Sequence, residues 1–261
     1  MVLLEQSGGT GYHGGMKGIP SGGRRVAFFG GSFDPPHRGH LAVARAAQRA
    51  LELDTVLFAP VGAQPLKPRG ATASFEDRLA MTRLAIAGEP EFAVSLADAP
   101  KATGETNYTP NYTIDTLLGL RAELEPGSAL FCLMGADAFA SLRRWHRAAE
   151  IPFAAALIVA SRPGERLGDL TSCLPEGVTV SALPRPERDG AEVEVRRSIL
   201  RNEDGELAPL YVLPGLDIAI SASEIRAQAR SEGQAAGGQN QEGAALPSSV
   251  SEYIRAHGLY R

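Results

Sequence analysis

Cysteine is scarce in this chain. Only Cys132 and Cys173 occur in 261 residues, and they form no C-x-x-C pair. That excludes a disulfide framework and a cysteine zinc site. Cys132 falls inside the apolar run "ALFCLMGA", where a buried, reduced thiol is expected. Basic charge is not in excess either: 26 Lys and Arg face 30 Asp and Glu, for a formal net charge of −4. A protein that coats nucleic acid would be basic, so no nucleic-acid partner is expected. No run approaches the roughly 20 apolar residues that span a bilayer, so no membrane partner is expected. The first 23 residues, "MVLLEQSGGTGYHGGMKGIPSGG", lack a basic stretch leading into an apolar core, so they do not read as a secretory signal. The expectation is a soluble, cytoplasmic protein. Aromatic residues make up 6% of the chain, and Trp145 is its single tryptophan.

What is present is an alternation of strands and helices. Residues 1–23 are glycine-rich and without periodicity, and read as a disordered tail, with one domain expected over 24–261. Val26–Phe29, Thr55–Val61, "FAVSLA", "SALFCLMGA" and "AAALIVASR" are short, continuous apolar runs. Helical patterns lie between them, at Leu41–Leu53, Phe75–Ala87, "YTIDTLLGLRAEL" (with Thr113 as its cap) and "DAFASLRRWHRAAEI". Apolar runs without alternation indicate parallel strands covered on both faces. The fold class is therefore α/β, a Rossmann-like doubly wound parallel sheet with helices on both faces, with ligands expected outside the carboxyl ends of its strands. Residues 165–215 are less regular, "ISASEIRAQAR" starts another helix, "GQAAGGQNQEG" is a loop, and "PSSVSEYIRAHGLY" is a proline-started helix.

The densest signal is "FFGGSFDPPHRGH", where the first strand ends. Gly30 and Gly31 let backbone approach a ligand closely and turn N–H groups towards it. Neither G-x-G-x-x-G nor G-K-[ST] follows the strand, so this is neither the dinucleotide fingerprint nor a P-loop. Pro35 and Pro36 delay the helix to about His37, which puts His37 and His40 one turn apart at a helix start. Two imidazoles beside helix-end amides make a site for an anion, phosphate above all. Gly39 between them lets a bulky ligand press on the backbone. Asp34 is the one nearby carboxylate, too few ligands for a metal site, so no protein-held metal is expected.

"GGSFDPPHRGH" closely resembles the signature of the H-x-G-H nucleotidyltransferases, and its form is most similar to the nicotinate-nucleotide adenylyltransferases. The resemblance implies that Gly30, Gly31, Ser32, Phe33, His37, Gly39 and His40 bind ATP, with His37 and His40 acting on charge at the α-phosphate. "ISASEIR" resembles that superfamily's second element, which adds Ser221, Ser223 and Arg226 to the ATP site; a helix N-terminus with a guanidinium beside it also suits phosphate. "NYTIDTL" resembles an element near the pyridine nucleotide, implying mononucleotide contacts at Thr113 and Thr116, with Asn111 standing where serine is usual. "MGADAFASLRRWH" resembles a segment that implies ribose contacts at Gly135 and Asp137, and a nicotinate ring stacked on Trp145. The neighbours Arg143, Arg144, His146 and Arg147 suit a partly open aromatic face. Lys67 stands where a loop lysine could neutralise the β- and γ-phosphates, preceded by Leu66 in place of histidine. The closing "PSSVSEYIRAHGLY" resembles the family's C-terminal helix and reads as structural. The segments 98–111, 181–217 and 233–243 are longer than the resemblance implies.

The implied catalytic residues are His37, His40, Arg226 and Lys67. The implied reaction takes ATP and nicotinate mononucleotide to the dinucleotide and pyrophosphate, with Mg²⁺ brought in by ATP, as a step of NAD biosynthesis. Adenylyl transfer to nicotinamide mononucleotide or to phosphopantetheine stays open, as does a nucleotide-binding regulator without turnover. A homo-oligomer is also left open.

Overall fold

Apolar residues bury both faces of the central strands. In β1 (Arg25–Gly31), Ala27 and Phe29 join one core cluster and Val26 and Phe28 the other, and all four are buried. The computed structural model describes residues 23–66, 70–102, 108–161, 170–182, 195–213, 221–232 and 245–261. At Gly23 any side chain would collide with the Gly127 carbonyl oxygen at 2.0 Å. The remainder of the glycine-rich segment, the 233–243 loop and Lys67 lie outside the described residues.

After β1 come α1 (Arg38–Leu51), β2 (Thr55–Pro60), α2 (Phe75–Ile86) and β3 (Phe92–Val94). A two-stranded ribbon, β4 (Lys101–Ala102) with β5 (Tyr108–Thr109), leads to α3 (Thr113–Glu123) and β6 (Ala129–Gly135). There follow α4 (Ala136–Ala140), α5 (Ile151–Ala154), β7 (Ala156–Ala160), α6 (Leu170–Cys173), β8 (Thr179–Ala182), β9 (Arg196–Arg201) and β10 (Leu207–Leu213). The last helices are α7 (Ala222–Glu232) and α8 (Ser248–His257).

The main sheet has the order β3-β2-β1-β6-β7-β10-β9-β8, parallel from β3 to β10. Helices α1, α2, α7 and α8 cover the Ala27 and Phe29 face, and α3, α4 and α5 the other. The parallel α/β reading therefore holds. It falls short at the far edge, where β9 pairs antiparallel with β10, and β8 antiparallel with β9. The sequence "RRSILR" alternates, with Ser198 and Leu200 buried between exposed arginines, as suits a strand with one wet face.

Two local expectations are corrected. "DAFASLRRWHRAAEI" is not one helix: α4 ends at Ala140, and 3-10 turns at Leu142–Arg144 and Ala148–Glu150 follow. Ser141 turns its hydroxyl back to the Ala138 carbonyl and accepts from Trp145 Nε1–H, which competes with helix continuation. Tyr112, not Thr113, is the N-cap of α3, and no side chain caps it.

The chain runs outward from β1 to β3 in one direction, then returns to β6 and proceeds to β10 in the other. The carboxyl ends of β1 and β6 mark that reversal, where a crevice must open. Among the described residues no helix is long and apolar enough to cross a membrane.

Candidate active site

A cavity of about 960 Å³ occupies the reversal point. Its walls come from the β1–α1 junction, the residues after β2 and β3, the start of α3, the end of β6 with the turns after it, and the start of α7. Of the residues singled out in the sequence, Gly30, Gly31, Ser32, Phe33, His37, Gly39, His40, Thr113, Gly135, Asp137, Trp145, Ser221, Ser223 and Arg226 all line it.

The histidines sit where the prolines put them. His37 is the N-cap of α1, and its backbone N–H donates to His40 Nδ1 at 3.2 Å. With Nδ1 accepting, a neutral His40 carries its proton on Nε2 and presents a donor there. The two rings stack with centroids 3.8 Å apart, and the Phe33 ring meets His40 edge-on at 5.0 Å. Burial, and secondarily the neighbouring His37, hold the His40 imidazole well below its usual range. An arriving polyanion would oppose both effects. The wall beside them is bare backbone: a Cβ on Gly30 would come within 2.8 Å of the Phe28 ring.

Asp34 organises this end. Its buried carboxylate accepts from the amides of Thr72 (2.6 Å) and Ala73 (3.1 Å) and from the Tyr260 hydroxyl (2.8 Å). Burial, and then Asp34, push the Tyr260 phenol far up, so Tyr260 remains a donor. Arg78 lies beneath, buried, and donates to the Ser32 carbonyl at 2.7 Å, holding the glycine turn from behind. Burial lowers the Arg78 pKa and the Asp34 charge partly restores it. Sequence reasoning passed over Arg78, Tyr260 and the supporting role of Asp34. The aspartate in D-P-P was the available clue; nothing local marks the other two.

From the opposite side, α7 brings Arg226. Its Nη1 donates to the Asp34 carbonyl oxygen at 2.6 Å and its Nη2 to Ser223 Oγ at 3.2 Å. Ser221, just before the helix, accepts the Ser223 N–H at its hydroxyl (3.2 Å) and the Ile225 N–H at its carbonyl (3.1 Å). Ser221 is thus the cap of α7, and Ser223 a partner of the arginine.

The other end of the cavity is aromatic. Trp145, half-buried, donates Nε1–H to Ser141 Oγ at 3.0 Å and packs against the core on the α3 side. The Tyr112 and His146 rings meet at a 31° tilt with centroids 4.2 Å apart, joining the start of α3 to the turn that carries Trp145. Asn111 is buried: it accepts from the Ala63 amide (3.0 Å) and donates to the Ala99 carbonyl (3.0 Å), tying two cavity loops together. Thr116 does not line the cavity. It is buried and gives its hydroxyl to Asp98 Oδ1, so it reaches the cavity only through that carboxylate. Asp98, which sequence reasoning missed, lines the cavity while 4% exposed. Burial raises its pKa, against the Thr116 hydrogen bond and the Lys101 charge. Lys67 lies outside the described residues. Among the described residues there is no group of three His, Cys, Asp or Glu able to hold a metal ion.

A parallel sheet with a phosphate-suited helix start and an aromatic wall at its reversal point defines a nucleotide-binding enzyme of Rossmann-like class. The family model described as "Cytidylyltransferase-like" matches residues 28–228. A relative from Laribacter hongkongensis, named "Probable nicotinate-nucleotide adenylyltransferase", is 38% identical over 237 residues, covering 90% of this chain and 94% of its own. One of the same name from Gloeobacter violaceus is 37% identical over 238 residues, covering 91% and 97%. The chain belongs to the cytidylyltransferase-like family and, within it, to the nicotinate-nucleotide adenylyltransferases. The fold is also that of a solved Plasmodium falciparum nicotinic acid mononucleotide adenylyltransferase complexed with NaAD. That likeness has a TM-score of 0.59 at 17% identity, covering 91% of this chain and 97% of the other.

Proposed function

We propose that this protein transfers the adenylyl group of ATP to nicotinate mononucleotide, releasing pyrophosphate, in NAD biosynthesis. The observation that carries the reading is one cavity whose wall includes His37, His40 and Arg226 as well as the single tryptophan, Trp145. Two substrates that must meet head to head need such a shared site.

In this reading His37, His40 and Arg226 take the ATP phosphates, with the backbone of Gly30 to Phe33 and Gly39 against the nucleotide and Ser221 and Ser223 shaping the α7 end. The mononucleotide phosphate attacks the α-phosphorus in line, and the bond from that phosphorus to the pyrophosphate oxygen breaks. A phosphate is already anionic at neutral pH, so the step needs no general base. Catalysis then rests on positioning two polyanions and on donors aimed at charge that builds on the phosphates. His40 is such a donor through Nε2–H, whether its ring is neutral or charged. Mg²⁺ brought in with ATP would offset charge on the triphosphate; of this chain's residues, Asp34 is committed to its two amides and Tyr260.

Gly135 and Asp137 are assigned to a ribose, Trp145 to the pyridine ring, and Thr113 to the mononucleotide through the first-turn amides of α3, which favour a carboxylate. Thr116 contributes through Asp98. Lys67 is assigned to the β- and γ-phosphates on the sequence resemblance alone. A cytoplasmic location is part of the same reading. Release of pyrophosphate on mixing the protein with ATP and nicotinate mononucleotide tests the reading; release with nicotinamide mononucleotide or phosphopantetheine instead, or with none, would overturn it.

A further inference from the structure

A pyridine mononucleotide carries a permanent positive charge on its ring nitrogen, and the cavity holds one carboxylate that the steps above leave unused. Asp98 follows β3, and its backbone carbonyl accepts from the Gly62 amide at 2.8 Å, which fixes the turn that carries it. Oδ1 accepts the Thr116 hydroxyl. Oδ2 lies 3.7 Å from where a Cβ on Gly30 would stand, so it faces the bare carboxyl end of β1. The side chain is almost wholly withdrawn from water yet lines the cavity. Of the other carboxylates on the cavity wall, Asp34 is spent on two amides and a tyrosine at the phosphate end, and Asp137 opens α4.

We infer that Asp98 is a specificity-determining residue that pairs with the cationic ring nitrogen of the mononucleotide, so that the enzyme selects an oxidised, charged pyridine over a neutral one. The inference rests on the function proposed above and deepens it. Charge attraction is strong where water is excluded, and a lone buried carboxylate gains most from a cation that supplies what solvent cannot. Burial raises the Asp98 pKa, and a bound cation would oppose that shift. Lys101 acts on Asp98 electrostatically, but its side chain is exposed, so it screens the carboxylate only in part. The polarity also orients the ring. Its nitrogen turns towards Asp98, and a substituent carboxylate, repelled by the same charge, turns to the opposite side of the ring. Thr116 keeps Asp98 aimed by bonding the oxygen remote from the ring, and is thereby a positioning residue.

The test is calorimetric binding of nicotinate mononucleotide and of its reduced dihydropyridine form, whose ring is neutral, to the wild-type protein and to Asp98→Asn and Asp98→Glu. The wild type is expected to bind the oxidised form about tenfold or more tightly than the reduced form. Asp98→Asn keeps the shape and removes the charge, so the ratio should collapse towards one, chiefly through loss of affinity for the oxidised form. Asp98→Glu keeps the charge and should retain a preference. ATP binding to each variant, measured alongside, reports whether the site is still folded. A wild type indifferent to ring charge overturns the inference without any variant. So does an Asp98→Asn protein that binds ATP normally but weakens both mononucleotides equally, which would make Asp98 a hydroxyl acceptor. Absence of pyrophosphate release by the wild type would strike the proposed function, whereas normal release with an unchanged ratio in Asp98→Asn strikes this inference alone.

Discussion

Arg226 donates from Nη1 to the main-chain carbonyl of Asp34 at 2.6 Å, joining residues 192 positions apart. The two phosphate-suited elements, one opening α1 and one opening α7, are therefore a single unit. The carbonyl holds one arm of the guanidinium fork and Ser223 Oγ takes the other. Tyr260, near the C-terminus, closes the same unit from behind through the Asp34 carboxylate.

Arg226→Lys keeps the charge but cannot hold both partners and a phosphate at once. Its ATP affinity is expected to fall by about tenfold, corresponding to about 1.4 kcal/mol, while mononucleotide affinity is unchanged. Calorimetric titration with each ligand separately checks this; an unaltered ATP affinity would reduce Arg226 to a structural clamp.

His40→Ala removes a donor held in place by the His37 amide. The loss of kcat expected for one preorganised donor is about 10²–10³, with the melting temperature nearly kept.

His40 also predicts a pH effect. Its folded pKa lies below the unfolded value, so the folded protein resists protonating it: stability is complete above about 6.5 and is lost as pH falls from there towards the lowered folded value. A bound triphosphate favours the charged imidazole and raises that pKa. ATP binding should then be accompanied by proton uptake just below neutral pH. Titrations in buffers of different ionisation heat would measure it, and His40→Ala should take up fewer protons.

Tyr260→Phe deletes one of the three hydrogen bonds to a buried carboxylate. The expected cost is about 1–3 kcal/mol of unfolding free energy, the range for a buried group left short of a partner. ATP affinity should drop too, since Asp34 anchors Arg226. Denaturant unfolding monitored at Trp145, with ATP titration alongside, reports both.

Trp145→Ala should weaken mononucleotide binding roughly tenfold and leave ATP binding nearly unchanged. In the wild type, the fluorescence of this single tryptophan should shift when nicotinate mononucleotide is added without ATP. A silent signal and an unchanged affinity would remove the stacking role.

The sequence by itself determined the parallel core, the placement of His37 and His40 at a helix start, and the glycine turn before them. Each of these is a local pattern: apolar runs too continuous for a wet face, prolines that delay a helix, glycines at a strand end. The sequence also pointed to Trp145 and Arg226 through short segments that resemble known ones. Only the tertiary structure decided the rest. It made Asp34 a supported carboxylate, through amides at Thr72 and Ala73 and a hydroxyl at Tyr260. It put Asp98 on the cavity wall and drew Thr116 behind it, where the sequence reading had placed Thr116 against the substrate. It added β9 and β8 antiparallel to the sheet and broke the expected helix after β6 at Ser141. These outcomes depend on partners tens to hundreds of residues away. A carboxylate's burial and its donors are properties of the closed fold, and no window of neighbouring residues contains them.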